Sequence, residues 1–94
     1  ARRAAAASYA SLVAGEIRRR RYYPEEARRA GLAGTVVVAF TIGPGGGVAA
    51  HSIVRSSGHA ALDAAVRGMM AGMRLPPPPG GVFRATVPVR FETR

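Results

Sequence analysis

Val82-Phe83-Arg84-Ala85-Thr86-Val87-Pro88-Val89-Arg90-Phe91-Glu92 decides the fold of this chain. Phe83, Ala85, Val87, Val89 and Phe91 fall on one face, and Arg84, Thr86, Pro88 and Arg90 on the other. That period of two marks a strand with one buried face. Proline has no N–H to give to a ladder, so Pro88 confines the strand to a sheet edge or a bulge. The N–H and C=O of one strand residue point to the same side, and successive residues alternate. With Pro88 on the outer row, Val87, Val89 and Phe91 pair inward, while Thr86 and Arg90 offer open groups outward. The strand reads as an exposed edge, and such an edge can accept another protein's strand.

Upstream of it, Pro76 to Pro79 form a stiff extended connector. Before the prolines, Leu62, Val66, Met69 or Met70, and Met73 recur at helical spacing, and Ser56 or Ser57 is the expected cap of a helix starting near Gly58. Thr35 to Ile42 places Val36, Val38, Phe40 and Ile42 on one strand face, and Gly43-Pro44-Gly45-Gly46-Gly47 turns the chain into a second strand, Val48 to Arg55. The parity of that second strand is mixed. Val48 and Val54 share one face, His51 and Ile53 the other, and either a bulge or burial of both faces reconciles them. Pro24-Glu25-Glu26 suits the first turn of a short helix that Gly31 closes. From about Ala4 to Arg20 an alanine-rich helix carries an apolar stripe of Tyr9, Leu12 or Val13, and Ile17. Helix, strand, strand, helix and strand assemble into an α+β fold. Its three-stranded antiparallel sheet has the order 2-1-3, with the helices packed on one face.

Ninety-four residues suit one small domain, spanning 1–94 with its core at about 9–92. No apolar run approaches the roughly 20 residues that cross a bilayer, and Ala4 to Ala7 is too short for the apolar region of a signal peptide. The absence of cysteine excludes disulfides and thiolate metal sites. All 14 basic residues are arginine and the formal net charge is +9. The densest run, Arg18-Arg19-Arg20-Arg21, reads as a solvated helix end opposing the negative end of the helix dipole. Steering of an anionic partner is the other reading.

Candidate chemistry is sparse. His51 and His59 are far apart in sequence and have no cysteine beside them. Ser56 and Ser57 lack a nucleophile elbow, though Asp63 lies one helical turn from His59. Glu25 and Glu26 are adjacent and point to different sides of a helix. The glycine cluster is followed by a strand, whereas a phosphate-cradling loop needs a helix N-terminus there. Single-strand nucleic-acid binding needs exposed aromatics among the basic residues, and only Tyr22 and Tyr23 qualify. The expectation is a binding module, with no enzyme activity, no cofactor, no metal and no nucleic-acid partner.

Six signals, taken in order, resemble the TonB C-terminal domain family: Tyr22-Tyr23-Pro24, Gly31 with Gly34, Val36 to Phe40, Ser56-Ser57-Gly58, Leu62-Asp63-Ala64-Ala65 and Val87-Pro88-Val89-Arg90-Phe91. The resemblance runs from about Tyr9 to Phe91. It departs at Tyr22, where the family commonly has a polar residue, and at the glycine turn, which lacks the frequent Asp-Gly. The resemblance implies a periplasmic domain, anchored in the inner membrane by a helix and proline-rich linker upstream. That domain binds the TonB box of an outer-membrane receptor by strand addition and drives uptake of iron chelates, haem or cobalamin. It further implies a link to an ExbB–ExbD-like inner-membrane complex through the upstream segment. Tyr22, Tyr23 and Pro24 beside the edge, and Thr86, Val87, Pro88, Val89, Arg90 and Phe91 along it, are the implied partner-binding residues. A strand-exchanged homodimer would use the same edge. A TolA-like envelope-tethering domain and an anionic-surface binding module are the alternative readings.

Overall fold

The computed structural model of the chain describes residues 2–92, with side chains from residue 7 onward; residues 1, 93 and 94 of the expected domain lie outside this range. Helix α1 runs Arg2–Arg20, α2 Glu25–Arg29 and α3 Ala60–Gly72; strands β1, β2 and β3 are Gly34–Ile42, Val48–Arg55 and Phe83–Phe91. The sheet is antiparallel with the order β2-β1-β3, as expected from the succession of helix, two strands, helix and strand.

β1 is the central strand, and its alternation is obeyed throughout: Val36, Val38, Phe40 and Ile42 are all but inaccessible to water. They meet Leu62, Val66, Met69 and Met70 of α3 and Met73 just beyond it. The largest fully buried side chains, Ile42, Leu62, Met70, Met73, Val36, Val38 and Val66, all belong to this contact. Each such side chain contributes about 1.5–3 kcal/mol of transfer free energy before conformational entropy is set against it. α1 adds a narrower stripe of Tyr9, Val13 and Ile17; Leu12 is half exposed, so Val13 is the inward member of that pair.

Two bulges resolve the mixed parity of β2. Register shifts between Val37 and Val38, and again between Thr41 and Ile42, pair Val38 with Ile53 and Ile42 with Val48. Val54 and Ala49 are the extra residues. The shift at Ala49 brings Val48 to the face that carries Ile53, and both pack against the core. The shift at Val54 leaves that side chain in solvent.

The ends of the helices differ from expectation in detail. Pro24 is the N-cap of α2, one residue outside the predicted first position. Gly31, at φ 71°, closes α2 in a Schellman motif: its N–H bonds to Arg28 O and that of Leu32 to Ala27 O. α3 begins at Ala60 with His59 as N-cap, so neither serine is the cap. Instead, Ser56 and Ser57 donate to the Asp63 carboxylate through both hydroxyls and the Ser57 N–H (3.0 Å). This clasp ties the end of β2 to the first turns of α3. It also turns Asp63 toward the serines rather than toward His59. Burial opposes the charged form of Asp63, but the three donors and the nearby Arg67 charge outweigh it and hold the carboxyl below its usual pKa.

The glycine turn is fixed by a backbone neighbour. Gly46 has φ 92°, and a Cβ there would lie 1.8 Å from the Leu75 carbonyl oxygen. Leu75 N–H in turn donates to Gly46 O at 3.0 Å. The turn between β1 and β2 therefore holds the start of the proline connector.

Two stability tests follow from these contacts. Gly46→Ala should lower unfolding free energy by about 2–4 kcal/mol, since both backbone conformation and space are lost. Gly45→Ala, with open space around it, should stay within about 0.5 kcal/mol by urea denaturation. Asp63 has a depressed folded-state pKa, so its contribution is fully present above its unfolded value near 3.9 and fades as pH falls through the folded value. Asp63→Asn should cost about 1–2 kcal/mol at neutral pH. The gap between the two proteins should close as denaturation is repeated from pH 5 downward.

Candidate strand-accepting edge

β3 pairs with β1 in unbroken register over nine residues, from Phe83 opposite Ile42 to Phe91 opposite Gly34. No strand lies on its other side among the described residues. Phe83, Ala85, Val87, Val89 and Phe91 point to the core side, and Val89 and Phe91 are buried. Arg84, Thr86, Pro88 and Arg90 are exposed. A guanidinium N–H of Arg21 donates to the Arg90 carbonyl at 3.1 Å, from outside the sheet. That contact identifies the outward row. If Arg90 O faces away from β1, so do the backbone groups of Pro88, Thr86 and Arg84, and Pro88 loses no ladder bond.

α1 runs alongside this edge and is held to it at two points. Near the middle of the helix the Tyr9 ring meets Phe83 edge-on at 5.1 Å, and the Tyr9 hydroxyl donates to Pro76 O at 2.8 Å. Burial raises the Tyr9 pKa and keeps the hydroxyl a neutral donor. Just past the helix end, Arg21 reaches Arg90 O. Between these points lies an open groove of about 340 Å³, lined by Ala14, Ile17, Arg18 and Arg21 on one side and Val87 to Arg90 on the other. A smaller recess of about 220 Å³ continues it past Arg21, Tyr23, Phe91 and Glu92.

The structure separates the two tyrosines. Tyr23 belongs to the edge: its ring packs on Phe91 at 5.5 Å and its hydroxyl donates to Leu32 O. Tyr22 is 64% exposed and, with Pro24, lines a different groove against Ala61, Ala64, Ala65 and Gly68 of α3. Of the three residues expected beside the edge, Tyr23 is the one whose ring packs on β3, while Tyr22 and Pro24 line the groove against α3. Consecutive residues of an irregular segment point in different directions, and only one can follow the sheet.

The arginine run is divided in the same way. Arg20 and Arg19 clasp Glu16, whose carboxyl the Arg20 and Arg19 hydrogen bonds hold below its usual pKa. Arg18 and Arg21 are the two that face β3. Sequence reading missed this pair and Ala14. Their spacing at 14, 18 and 21 is a helical stripe bordering the buried Val13 and Ile17, and that was the available signal. No group of three or more His, Cys, Asp or Glu side chains among the described residues could hold a metal ion. No helix among them is long and apolar enough to cross a membrane.

Fold and groove together define the class, a small α+β domain whose sheet has one face covered and one straight edge open. The family model described as Gram-negative bacterial TonB protein C-terminal matches residues 19–93, and the chain belongs to that family. The family's themes are transport and energy transduction. Among solved structures, the Pseudomonas aeruginosa TonB C-terminal domain is 32% identical, with 76% of each chain covered and a TM-score of 0.63. A Helicobacter pylori TonB C-terminal domain is 25% identical over 92% of this chain and 95% of that one, at a TM-score of 0.68. The HasB C-terminal domain is 30% identical over 92% of this chain and 70% of that one, at 0.58. The comparison with curated proteins gave no match.

The inward and outward rows of β3 should respond differently to truncation. Val89, 2% exposed, should cost about 1–2 kcal/mol as Val89→Ala. Thr86→Ala, on the outward row, should change stability by no more than about 0.5 kcal/mol. Denaturant midpoints at unchanged slope would read both.

Proposed function

We propose that this chain is one domain that grips the TonB box of an outer-membrane receptor by adding it as a strand to the outer edge of β3. The observation that carries the reading is the contrast between the two sheet edges. β2 is bulged twice, whereas β3 keeps continuous register along its length. Bulges disrupt the regular row of donors and acceptors that an incoming strand must match. An unbulged edge presents that row intact, so main-chain hydrogen bonds give affinity and flanking side chains give selectivity. Thr86 and Arg90 supply the outward groups. Val87, Val89 and Phe91 hold the strand in place, Pro88 marks its outer row, and Tyr23 braces its end against Phe91.

In this reading the domain works in the periplasm, tethered to the inner membrane by an upstream anchor. An ExbB–ExbD-like complex acts on that anchor, and force passes through β3 to the receptor. Uptake of iron chelates, haem or cobalamin would follow from the receptor's response. The domain catalyses nothing, needs no cofactor and takes no nucleic-acid partner. Family membership and the open edge support this reading. A second copy in a strand-exchanged dimer would compete for the same edge.

Titration with TonB-box peptides should shift amide resonances of Thr86 to Phe91 and of Tyr23. Shifts confined to the Gly43–Gly47 turn, or none with any such peptide, would refute the proposal. Arg90→Pro removes an outward N–H but no bond to β1. It should weaken peptide binding at least several-fold, while its denaturant midpoint moves far less than that of Val89→Ala.

A further inference from the structure

The contact between Arg21 and the Arg90 carbonyl occupies a main-chain acceptor that a strand added to β3 would need. We propose that Arg21 is a latch on the binding edge, released by an acidic side chain carried on the incoming strand. The inference rests on the strand-addition reading above and adds the chemistry of the partner.

Alternation fixes where that side chain must sit. Side chains of an added strand point either to the open sheet face or toward α1. Those toward α1 meet Ala14, Ile17, Arg18 and Arg21. Ala14 and Ile17 leave room for apolar contact, whereas Arg18 and Arg21 put two guanidinium groups at the end nearest Arg90. Among the described residues neither carries a carboxylate partner: Glu16 is taken by Arg19 and Arg20, and the carboxylate within reach of Arg90 is Glu92, at 3.7 Å. A neutral strand must displace Arg21 from the carbonyl and gives it nothing in return. A strand with Glu or Asp at the α1-facing position offers Arg21 a stronger, charge-assisted acceptor as the carbonyl is taken over. The latch thus blocks casual edge pairing, by a second copy of this chain among others, and opens to a strand with the matching charge.

The test uses short peptides alternating valine and threonine, with one glutamate walked along the valine positions and glutamine twins as controls. Binding is read by fluorescence anisotropy. At one position the glutamate peptide should bind about three- to fivefold more tightly than its twin at low salt, and the gap should narrow as salt is raised. Arg21→Ala should reduce that ratio at least by half and make the glutamine peptide bind more tightly than it does to the unaltered chain. Arg28→Ala removes the same charge from the exposed Glu25 pair and should leave the ratio unchanged. Equal binding of glutamate and glutamine peptides to the unaltered chain would overturn the latch and leave strand addition standing. So would a glutamine peptide that gains nothing from Arg21→Ala. An equal loss of the ratio in Arg28→Ala would reduce the effect to overall charge and overturn it too. Absence of binding by every peptide to both proteins would overturn strand addition and the latch together.

Discussion

The dry contact between the even-numbered face of β1 and the apolar stripe of α3 is what the rest of the structure depends on. Val36, Val38 and Ile42 meet Leu62, Val66, Met70 and Met73 with almost no water access. β1 is paired on both sides and covered on that face along its length, which leaves β2 and β3 as the two edges of the sheet. What distinguishes the two edges is local: extra residues at Ala49 and Val54 bend one, while the other stays straight because its register with β1 is never interrupted.

The straight edge carries its own restraints. Pro88 on the outer row withholds one donor, and Arg84 and Arg90 place charge beside it, two of the devices by which sheets discourage uncontrolled pairing. Arg21 adds a third by occupying an acceptor. None of these removes the edge as a template, since Thr86 and Arg90 keep their outward N–H groups. In the proposed reading, these restraints make the edge selective and leave affinity to a strand that can meet its terms.

How much of this was legible in the sequence depended on the range of the governing interaction. The alternation of β1 and β3 and the edge marked by Pro88 are local patterns, and the structure follows them. Gly31 was legible as a cap because a Schellman closure needs one left-handed residue within a turn of the helix. The mixed parity of β2 pointed to a bulge or to burial of both faces without choosing between them, because the place of an extra residue leaves no signature in composition. Ser56 and Ser57 looked like caps by proximity, yet Asp63 collects them from within the helix. The division between Tyr22 and Tyr23 depended on Phe91 and on α3, both far along the chain. The Arg21 contact spans a sequence separation of 69 and no local rule reaches it.

The positive charge is also better understood from its placement than from its sum. Of the run read as a solvated helix end, Arg19 and Arg20 share the single carboxylate of Glu16; beyond the run, Arg28 and Arg29 share Glu25 on an exposed surface. Ion pairs at such separations on a surface contribute little to stability. Their effect is to offset part of the local positive field. Along the groove, Arg18 and Arg21 stand over β3 while Arg84 and Arg90 line its other face, so an added strand would have guanidinium groups on both sides. A field of that shape favours an anionic extended chain on encounter and hinders a second copy of a chain that is itself strongly positive. The composition alone suggested an anionic partner of any kind. The fold places part of that charge along the open edge of β3, where the proposed strand would lie.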